Sequence, residues 1–115
     1  MLYCASLKLG LEQLERAGNT YAVTYVPLGF DAAVYWGVTD YRFCNSLDTA
    51  IEIRAYVADE QVTVELWGQP EEAQNIELEC AMVGDNVVET YQVYLDENGE
   101  VLRQELITTT QYKER

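Results

Sequence analysis

Residues 51–67 read IEIRAYVADEQVTVELW, and every second residue on either side of Asp59-Glu60 is apolar. This alternation is typical of a β-strand with one face in the core and the other in water. Because Asp59-Glu60 suits a tight two-residue turn poorly, we expect a four-residue loop in the same register. The predicted antiparallel hairpin sets Ile53, Ala55 and Val57 opposite Leu66, Val64 and Val62, and Arg54 opposite Glu65.

Two further turns, at Asp85-Asn86 and Asn98-Gly99, extend the same pattern toward the C-terminus. Asn-Gly is the strongest short hairpin signal, and Asp-Asn tolerates the positive φ that such turns need. The three turns together predict an antiparallel meander of five strands over residues 51–112, and a strand at 21–26 would make six. The predicted pairs across the second turn are Ile76–Leu95, Leu78–Val93, Cys80–Tyr91 and Met82–Glu89. Those across the third turn are Leu95–Leu102, Val93–Gln104 and Tyr91–Leu106.

The N-terminal segment, residues 1–19, has a helical pattern over 6–17, with leucines recurring on one stripe. Ser6 is the expected N-cap and Gly18-Asn19 the expected stop, while Gly10 weakens the helix. The aromatic-rich segment at 20–50 permits a second helix within 30–50, one or two strands, or a structured loop. We therefore expect one α+β domain, residues 1–115, with a short N-terminal helix packed on a five- to six-stranded antiparallel meander.

Twenty Asp and Glu against seven Lys and Arg give the chain a net charge of −13 and a pI near 4.1. This balance argues against direct binding of nucleic acid and against an electrostatic anchor to an anionic membrane. No apolar run is long enough to span a bilayer, and no secretory leader is recognisable. Three dispersed cysteines indicate a reducing, cytoplasmic setting, with Cys80 expected as a buried small hydrophobe. Without histidine, we expect neither a metal nor a cofactor.

Residues 51–115 carry four basic and fifteen acidic residues, a net charge of −11. Alternate residues of a strand are about 6.6 Å apart, close to two steps of about 3.4 Å between phosphates of one DNA strand. The leading hypothesis is a non-enzymatic protein whose acidic sheet face docks a basic protein partner, such as a nucleic-acid-binding protein. Its most specific version is a nucleic-acid-mimicking inhibitor of the mobile-element counter-defence or immunity type. The candidate partner-binding residues are Glu52, Glu65, Glu77, Glu79 and Glu105, with Tyr56, Trp67 and Tyr94 as aromatic anchors.

The alternative function is a cone-shaped α+β cup for a small molecule, with or without chemistry. Its candidate ligand pocket is the aromatic cluster Tyr35, Trp36, Asp40, Tyr41, Arg42 and Phe43. The absence of histidine excludes Ser-His-Asp and Cys-His arrangements, so no catalytic residue is assigned and an enzyme is the less favoured reading. Asp31, Asp40 and Tyr41 are the ionisable residues that lie in an apolar stretch. A homo-oligomer assembled through the aromatic segment is a third alternative.

Overall fold

The computed structural model describes residues 2–69 and 75–114. Within them the chain forms one seven-residue helix and seven strands, so the fold is mostly β. Helix α1 is Leu2–Lys8, and the strands are β1 Glu12–Glu15, β2 Arg42–Cys44, β3 Glu52–Ala58, β4 Gln61–Trp67, β5 Asn75–Gly84, β6 Val87–Leu95 and β7 Val101–Gln111. They form three antiparallel sheets with strand orders β1-β2, β3-β4 and β5-β6-β7.

The predicted α+β arrangement, a helix packed on one five- to six-stranded meander, is wrong. Strands β3 and β4 form a separate ribbon, and β4 does not pair with β5. Helix α1 packs against both β4 and β5, so the two sheets meet through the helix instead of through backbone hydrogen bonds. Residues 30–50 contain no second helix; they hold β2 and a tight turn closed by a bridge between Tyr35 and Thr39.

The N-terminal helix begins and ends earlier than the predicted 6–17. Gly10 adopts a positive φ of 77°, and its N–H donates to the Leu7 carbonyl at 3.1 Å while that of Leu11 donates to Ser6 at 3.0 Å. This pair of bonds is the Schellman motif, which ends a helix at a left-handed glycine. Ser6 is therefore inside the helix instead of capping it. The following residues are free to form β1.

The first hairpin has the predicted register, with Ile53 opposite Leu66 and Arg54 opposite Glu65. The expected four-residue loop is wrong, because Asp59 and Glu60 both have positive φ, at 52° and 63°, and form the tight two-residue turn themselves.

The second hairpin has its turn at the predicted Asp85-Asn86, but the pairs beyond the turn are wrong. The register shifts between Met82 and Gly84, so Val83 is an extra residue and Met82 pairs with Val88. A one-residue slip moves an entire strand's side chains to the other face. Ile76 and Leu78 consequently share a face with Tyr94 and Gln92, whereas Glu77 and Glu79 lie on the face of Val93 and Tyr91.

The third hairpin keeps the predicted pairs Tyr91–Leu106 and Val93–Gln104. The predicted two-residue turn at Asn98-Gly99 is wrong: the Asp96 N–H donates to the Glu100 carbonyl at 2.8 Å, so the loop has three residues, 97–99. Leu95 pairs with Val101 instead of Leu102 across a register shift.

The buried apolar side chains come from the N-terminal third of the chain and from β5, β6 and the residue after β7. Most of them form the core between α1, the segment around Phe30 and the β5–β7 sheet, whereas Val93 lies on the opposite face of β6. The buried apolar side chains are Tyr3, Leu7, Leu11, Phe30, Ile76, Val88, Val93 and Tyr112.

Candidate functional site

Four of the eight predicted partner-binding residues lie together on one face of the β3–β4 hairpin. The register sets Glu52 opposite Trp67 and Arg54 opposite Glu65, and Tyr56 follows on the same face because strand side chains alternate. We call this surface the hairpin face; it consists of Glu52, Arg54, Tyr56, Glu65 and Trp67. Each of the two aromatic side chains is half exposed.

The side chains of the hairpin face hold one another in place. The Glu65 carboxylate accepts hydrogen bonds from Trp67 Nε1 at 2.8 Å and from the Tyr56 hydroxyl at 3.3 Å. Arg54 lies over the Trp67 ring at 4.1 Å and donates to Glu52 at 3.0 Å. The hydrogen bond from Arg54 lowers the pKa of Glu52 below its ordinary value. The face therefore presents two ordered aromatic rings bordered by carboxylates.

The other four predicted partner-binding residues lie on the β5–β7 sheet and on its two opposite faces. Glu77 and Glu79 share the face of Val93 and Tyr91. Tyr94 and Glu105 lie on the other face, where Arg103 stacks on the Tyr94 ring at 3.9 Å and pairs with Glu105 at 3.1 Å. The predicted single acidic platform is therefore not formed. Its residues are distributed over the hairpin and both faces of a second sheet.

The six predicted pocket residues also separate. Tyr41 packs inward, with its ring edge against Tyr3 and a stacked contact to Phe43 at 5.7 Å. Tyr35 and Trp36 instead lie at an exposed loop tip, where Trp36 is 99% exposed. Of the six, Trp36 and Asp40 line a shallow surface pocket, while Arg42 is exposed and lies 3.9 Å from Glu15. In residues 2–69 and 75–114 these six side chains do not converge on one cavity, and the strands form three small sheets instead of the broad sheet that the predicted cup requires.

A second cluster, which the sequence did not indicate as a unit, is buried between the two ends of the chain. We call it the buried joint; it consists of Arg16, Asn19, Asp31, Thr110 and Tyr112. The Asp31 carboxylate accepts hydrogen bonds from the Asn19 N–H at 2.7 Å, from Asn19 Nδ2 at 2.9 Å and from the Tyr112 hydroxyl. Arg16 donates to the Asp31 carbonyl at 2.9 Å and to Thr110 Oγ1 at 2.6 Å. The only sequence signal for the joint is a carboxylate in the apolar stretch 28–34.

Gly29 allows the joint to close against β6. Its φ is +87°, and a Cβ atom at this position would meet Thr90 Oγ1 at 2.5 Å and Val88 Cγ1 at 3.0 Å. The Gly29 carbonyl accepts from Thr90 Oγ1 at 2.9 Å, and its N–H donates to the Tyr112 hydroxyl at 2.9 Å. Glycine is thus required for both the backbone conformation and the close approach.

The joint shifts the pKa values of its ionisable groups. Burial acts to raise the pKa of Asp31, but the hydrogen bonds from Asn19 and Tyr112 outweigh it and hold this pKa below the ordinary 3.8. Burial, and then the bond to Asp31, raise the pKa of Tyr112. Burial also raises the pKa of Tyr3, beneath Arg16, to about 12. Asp31 and Tyr112 are enclosed and hydrogen-bonded, so among the described residues the joint fixes structure. The Tyr3 hydroxyl next to it is also buried but has no hydrogen-bond partner in the described part of the chain.

Ser6 and Tyr41 form a third polar contact, with their hydroxyl oxygens 2.5 Å apart and Gln13 bonded to both. Ser6 is fully buried, and its hydroxyl also donates to the Tyr3 carbonyl at 2.7 Å. This group holds no base, because glutamine does not take up a proton at ordinary pH. It therefore does not have the composition of an activated serine.

Residues 2–69 and 75–114 hold no group of three acidic, cysteine or histidine side chains placed to bind a metal ion. Cys80, expected to be buried, is exposed: it lies on the same face of β5 as the buried Ile76, but every residue of β5 from Glu79 to Gly84 is exposed. In the same described part of the chain, no helix has the length and apolar character needed to cross a membrane.

The sequence profile of the family described as "VanW like protein" matches residues 1–67, more than half of the chain. The chain belongs to the VanW-like family. The matched region contains α1, β1–β4, the hairpin face and the Arg16–Asp31 half of the buried joint. The VanW-like region thus reaches its partners Thr110 and Tyr112 in a part of the chain that the profile does not match.

A protein of Bacillus subtilis (strain 168), described as "Uncharacterized protein YoaR", is 44% identical to the VanW-like chain over 54 residues. The aligned part is 47% of this chain and 18% of that protein, so the chain spans less than a fifth of the relative's length. No solved structure matches the chain.

Proposed function

We propose that this VanW-like chain is a non-enzymatic binding domain and that its hairpin face docks a basic protein partner. The observation that carries the proposal is that the Glu65 carboxylate accepts hydrogen bonds from both Trp67 and Tyr56, while Arg54 stacks on the Trp67 ring. Trp, Tyr and Arg are the residue types that dominate binding energy at protein interfaces. Here they are exposed and already ordered, so this face would lose little side-chain entropy when a partner binds.

Charge favours a cationic partner. The chain carries a net charge of −13, and Glu52 and Glu65 border the two aromatic rings of the hairpin face. Arg54 already lies on the Trp67 ring and pairs with Glu52. A basic side chain arriving at this face would therefore meet the Glu65 carboxylate and the Tyr56 ring. Carboxylates and aromatic rings are the two groups that attract Arg and Lys in proteins. Association with such a partner should be fast and should weaken as the salt concentration rises.

The phosphate-mimicking version of the hypothesis has less support. It needs Glu77, Glu79 and Glu105 in one row, whereas the first two lie on one face of the β5–β7 sheet and the third on the other. The proposal therefore rests on aromatic and carboxylate contacts at the hairpin face and does not include imitation of a nucleic-acid backbone. Inhibition of a nucleic-acid-binding partner would follow only if that partner's basic surface is the one bound.

The test uses an arginine-rich peptide as the basic probe and the fluorescence of Trp67 as the readout. A Trp36→Phe background removes the other indole, which lies at the exposed loop tip. Titration of the peptide should change the Trp67 emission, and raising the salt concentration should reverse the change. The double variant Glu52→Gln with Glu65→Gln should weaken binding by about tenfold, because it removes both carboxylates next to the rings.

The matched control is Glu77→Gln with Glu79→Gln, which removes the same charge from the β5–β7 sheet. Preserved binding in this control, together with weakened binding in the hairpin double variant, supports docking at the hairpin face. Equal weakening in the two double variants would show that the peptide responds to net charge alone and would overturn the proposal. An unchanged Trp67 emission at low salt would overturn it as well.

A further inference from the structure

Strand β3 is the regular edge of this fold. The β3–β4 register runs over seven consecutive pairs, from Glu52–Trp67 to Ala58–Gln61, without an interruption. The β1–β2 pair, the β5–β6 pair and the β6–β7 pair each contain a register shift. Bulges twist an edge strand and protect it from further pairing, whereas a flat, exposed edge invites another strand. All seven residues of β3 are exposed.

The turn geometry shows which backbone groups of β3 point away from β4. With a two-residue turn at Asp59 and Glu60, the closing pair Ala58–Gln61 exchanges hydrogen bonds, and every second pair beyond it does the same. Ile53, Ala55 and Val57 therefore direct their N–H and C=O groups outward. No backbone hydrogen bond from other described segments reaches these three residues. Among the described residues, these backbone groups are therefore available to pair with another strand.

We propose that two copies of this chain pair through their β3 strands, antiparallel, about a two-fold axis at Ala55. Ala55 is the midpoint of Glu52–Ala58, so this register overlaps the whole strand. Ile53 then lies opposite Val57 of the second copy, and Ala55 opposite its counterpart. All three outward-facing residues of each copy exchange hydrogen bonds, because the odd-numbered residues meet one another. The result is a four-stranded sheet built from two hairpins.

Charge distinguishes this register from its neighbours. An axis at Arg54 would place the two Arg54 side chains directly opposite each other, and an axis at Tyr56 would place Glu52 opposite Glu60. Like charges directly opposite are destabilising. The axis at Ala55 instead sets Arg54 opposite Tyr56 of the second copy and Glu52 opposite Ala58. A two-fold interface needs such a self-complementary strand, and β3 provides it.

This inference goes beyond the proposed function and does not depend on it, because the pairing uses the backbone groups of Ile53, Ala55 and Val57, whereas the hairpin face is made of the side chains of alternate residues. The test is sedimentation equilibrium from about 1 µM to about 1 mM, where weak and moderate dimers become visible. Wild-type protein should pass from monomer to dimer in this range. Ala55→Asp should raise the dimer dissociation constant by about tenfold or more, since it brings two like charges face to face across the axis.

The matched control is Val62→Asp, which puts the same charge on the apolar side of the hairpin but on β4. It should dimerise like the wild type, and circular dichroism should show that both variants are folded. A mixture of the Ala55→Asp chain with an Ala55→Lys chain should restore dimers, because opposite charges then meet at the axis. Restored pairing supports the β3 interface.

Three results would overturn the inference. They are a wild-type chain that stays monomeric throughout the concentration range, a dimer that tolerates Ala55→Asp as well as Val62→Asp, and a mixture that fails to recover. Failure of arginine-rich peptide binding at the hairpin face would leave this dimer untouched. A monomeric chain would in turn leave the peptide-binding proposal untouched.

Discussion

Two arginine–carboxylate pairs show how differently the buried joint and the hairpin face use the same chemical groups. Arg54 and Glu52 are 3.0 Å apart with side chains 46% and 62% exposed, whereas Arg16 and Asp31 are 3.7 Å apart with side chains 7% and 0% exposed. The shorter pair is the weaker one, because water and salt screen it. The difference teaches that burial and additional hydrogen bonds, and not the distance between two charges, decide what an ion pair contributes.

The buried pair also connects distant parts of the chain. Arg16 reaches Thr110 and the backbone of Asp31, and Tyr112 reaches both Asp31 and Gly29. The joint thus attaches the VanW-like region to β7. The hairpin pair, in contrast, joins two residues of one strand. We expect the joint to determine whether the chain folds and the hairpin face to determine what the folded chain contacts.

The largest expected effect is that of Asp31→Ala in the buried joint. It leaves the Arg16 guanidinium buried without its counter-charge and removes the acceptor of the Asn19 and Tyr112 donors, so the free energy of unfolding should fall by about 3–5 kcal/mol. Urea denaturation followed by circular dichroism measures the loss. Glu52→Ala in the exposed pair is the control. A loss no larger than that of the control would contradict the comparison.

The pH dependence of stability tests the same carboxylate without changing its shape. Because the pKa of Asp31 is lower in the folded chain than the ordinary 3.8, its contribution is complete above the unfolded value and is lost as the pH falls through the folded value. Urea midpoints from about pH 7 to about pH 2 should fall more steeply for the wild type than for Asp31→Asn. Parallel profiles would show that Asp31 does not titrate as described.

The hairpin can be made more stable at its turn. Glu60 has a φ of 63°, a conformation that strains every residue except glycine and is tolerated best after glycine by asparagine and aspartate. Glu60→Gly should therefore raise the free energy of unfolding by about 0.5–1 kcal/mol. Gln61→Gly, one residue further in a regular strand, should lower it. Equal effects of the two substitutions would contradict the assigned turn geometry.

The smallest expected effect is that of Arg54→Ala. Both charged groups of this pair are exposed, so the urea midpoint should stay within the error of the measurement. The affinity for the arginine-rich peptide should fall nonetheless, because Arg54 orders the Trp67 ring. A loss of stability as large as that of Asp31→Ala would refute the distinction between the two pairs.

The first hairpin was predictable because its information is local. Strict alternation on both sides of Asp59-Glu60 permits one register, and Glu52, Tyr56, Glu65 and Trp67 fall on one face as predicted. The second hairpin was not predictable beyond its turn. The bulge at Val83 has no distinctive residue, yet it moves Glu77 and Glu79 to the opposite face from the one that the predicted platform required.

The sequence alone determined the acidic character of the chain, the positions of the first two turns and the alternation that makes β3 and β4. These properties depend on neighbouring residues, which are adjacent in the chain whether or not it is folded. Only the tertiary structure decided that α1 lies between two separate sheets and that Asp31 meets Tyr112. Those contacts join residues that are far apart in sequence. They form only when the free energy gained by burying apolar and hydrogen-bonded groups exceeds the free-energy cost of the entropy lost in closing the long loops between them.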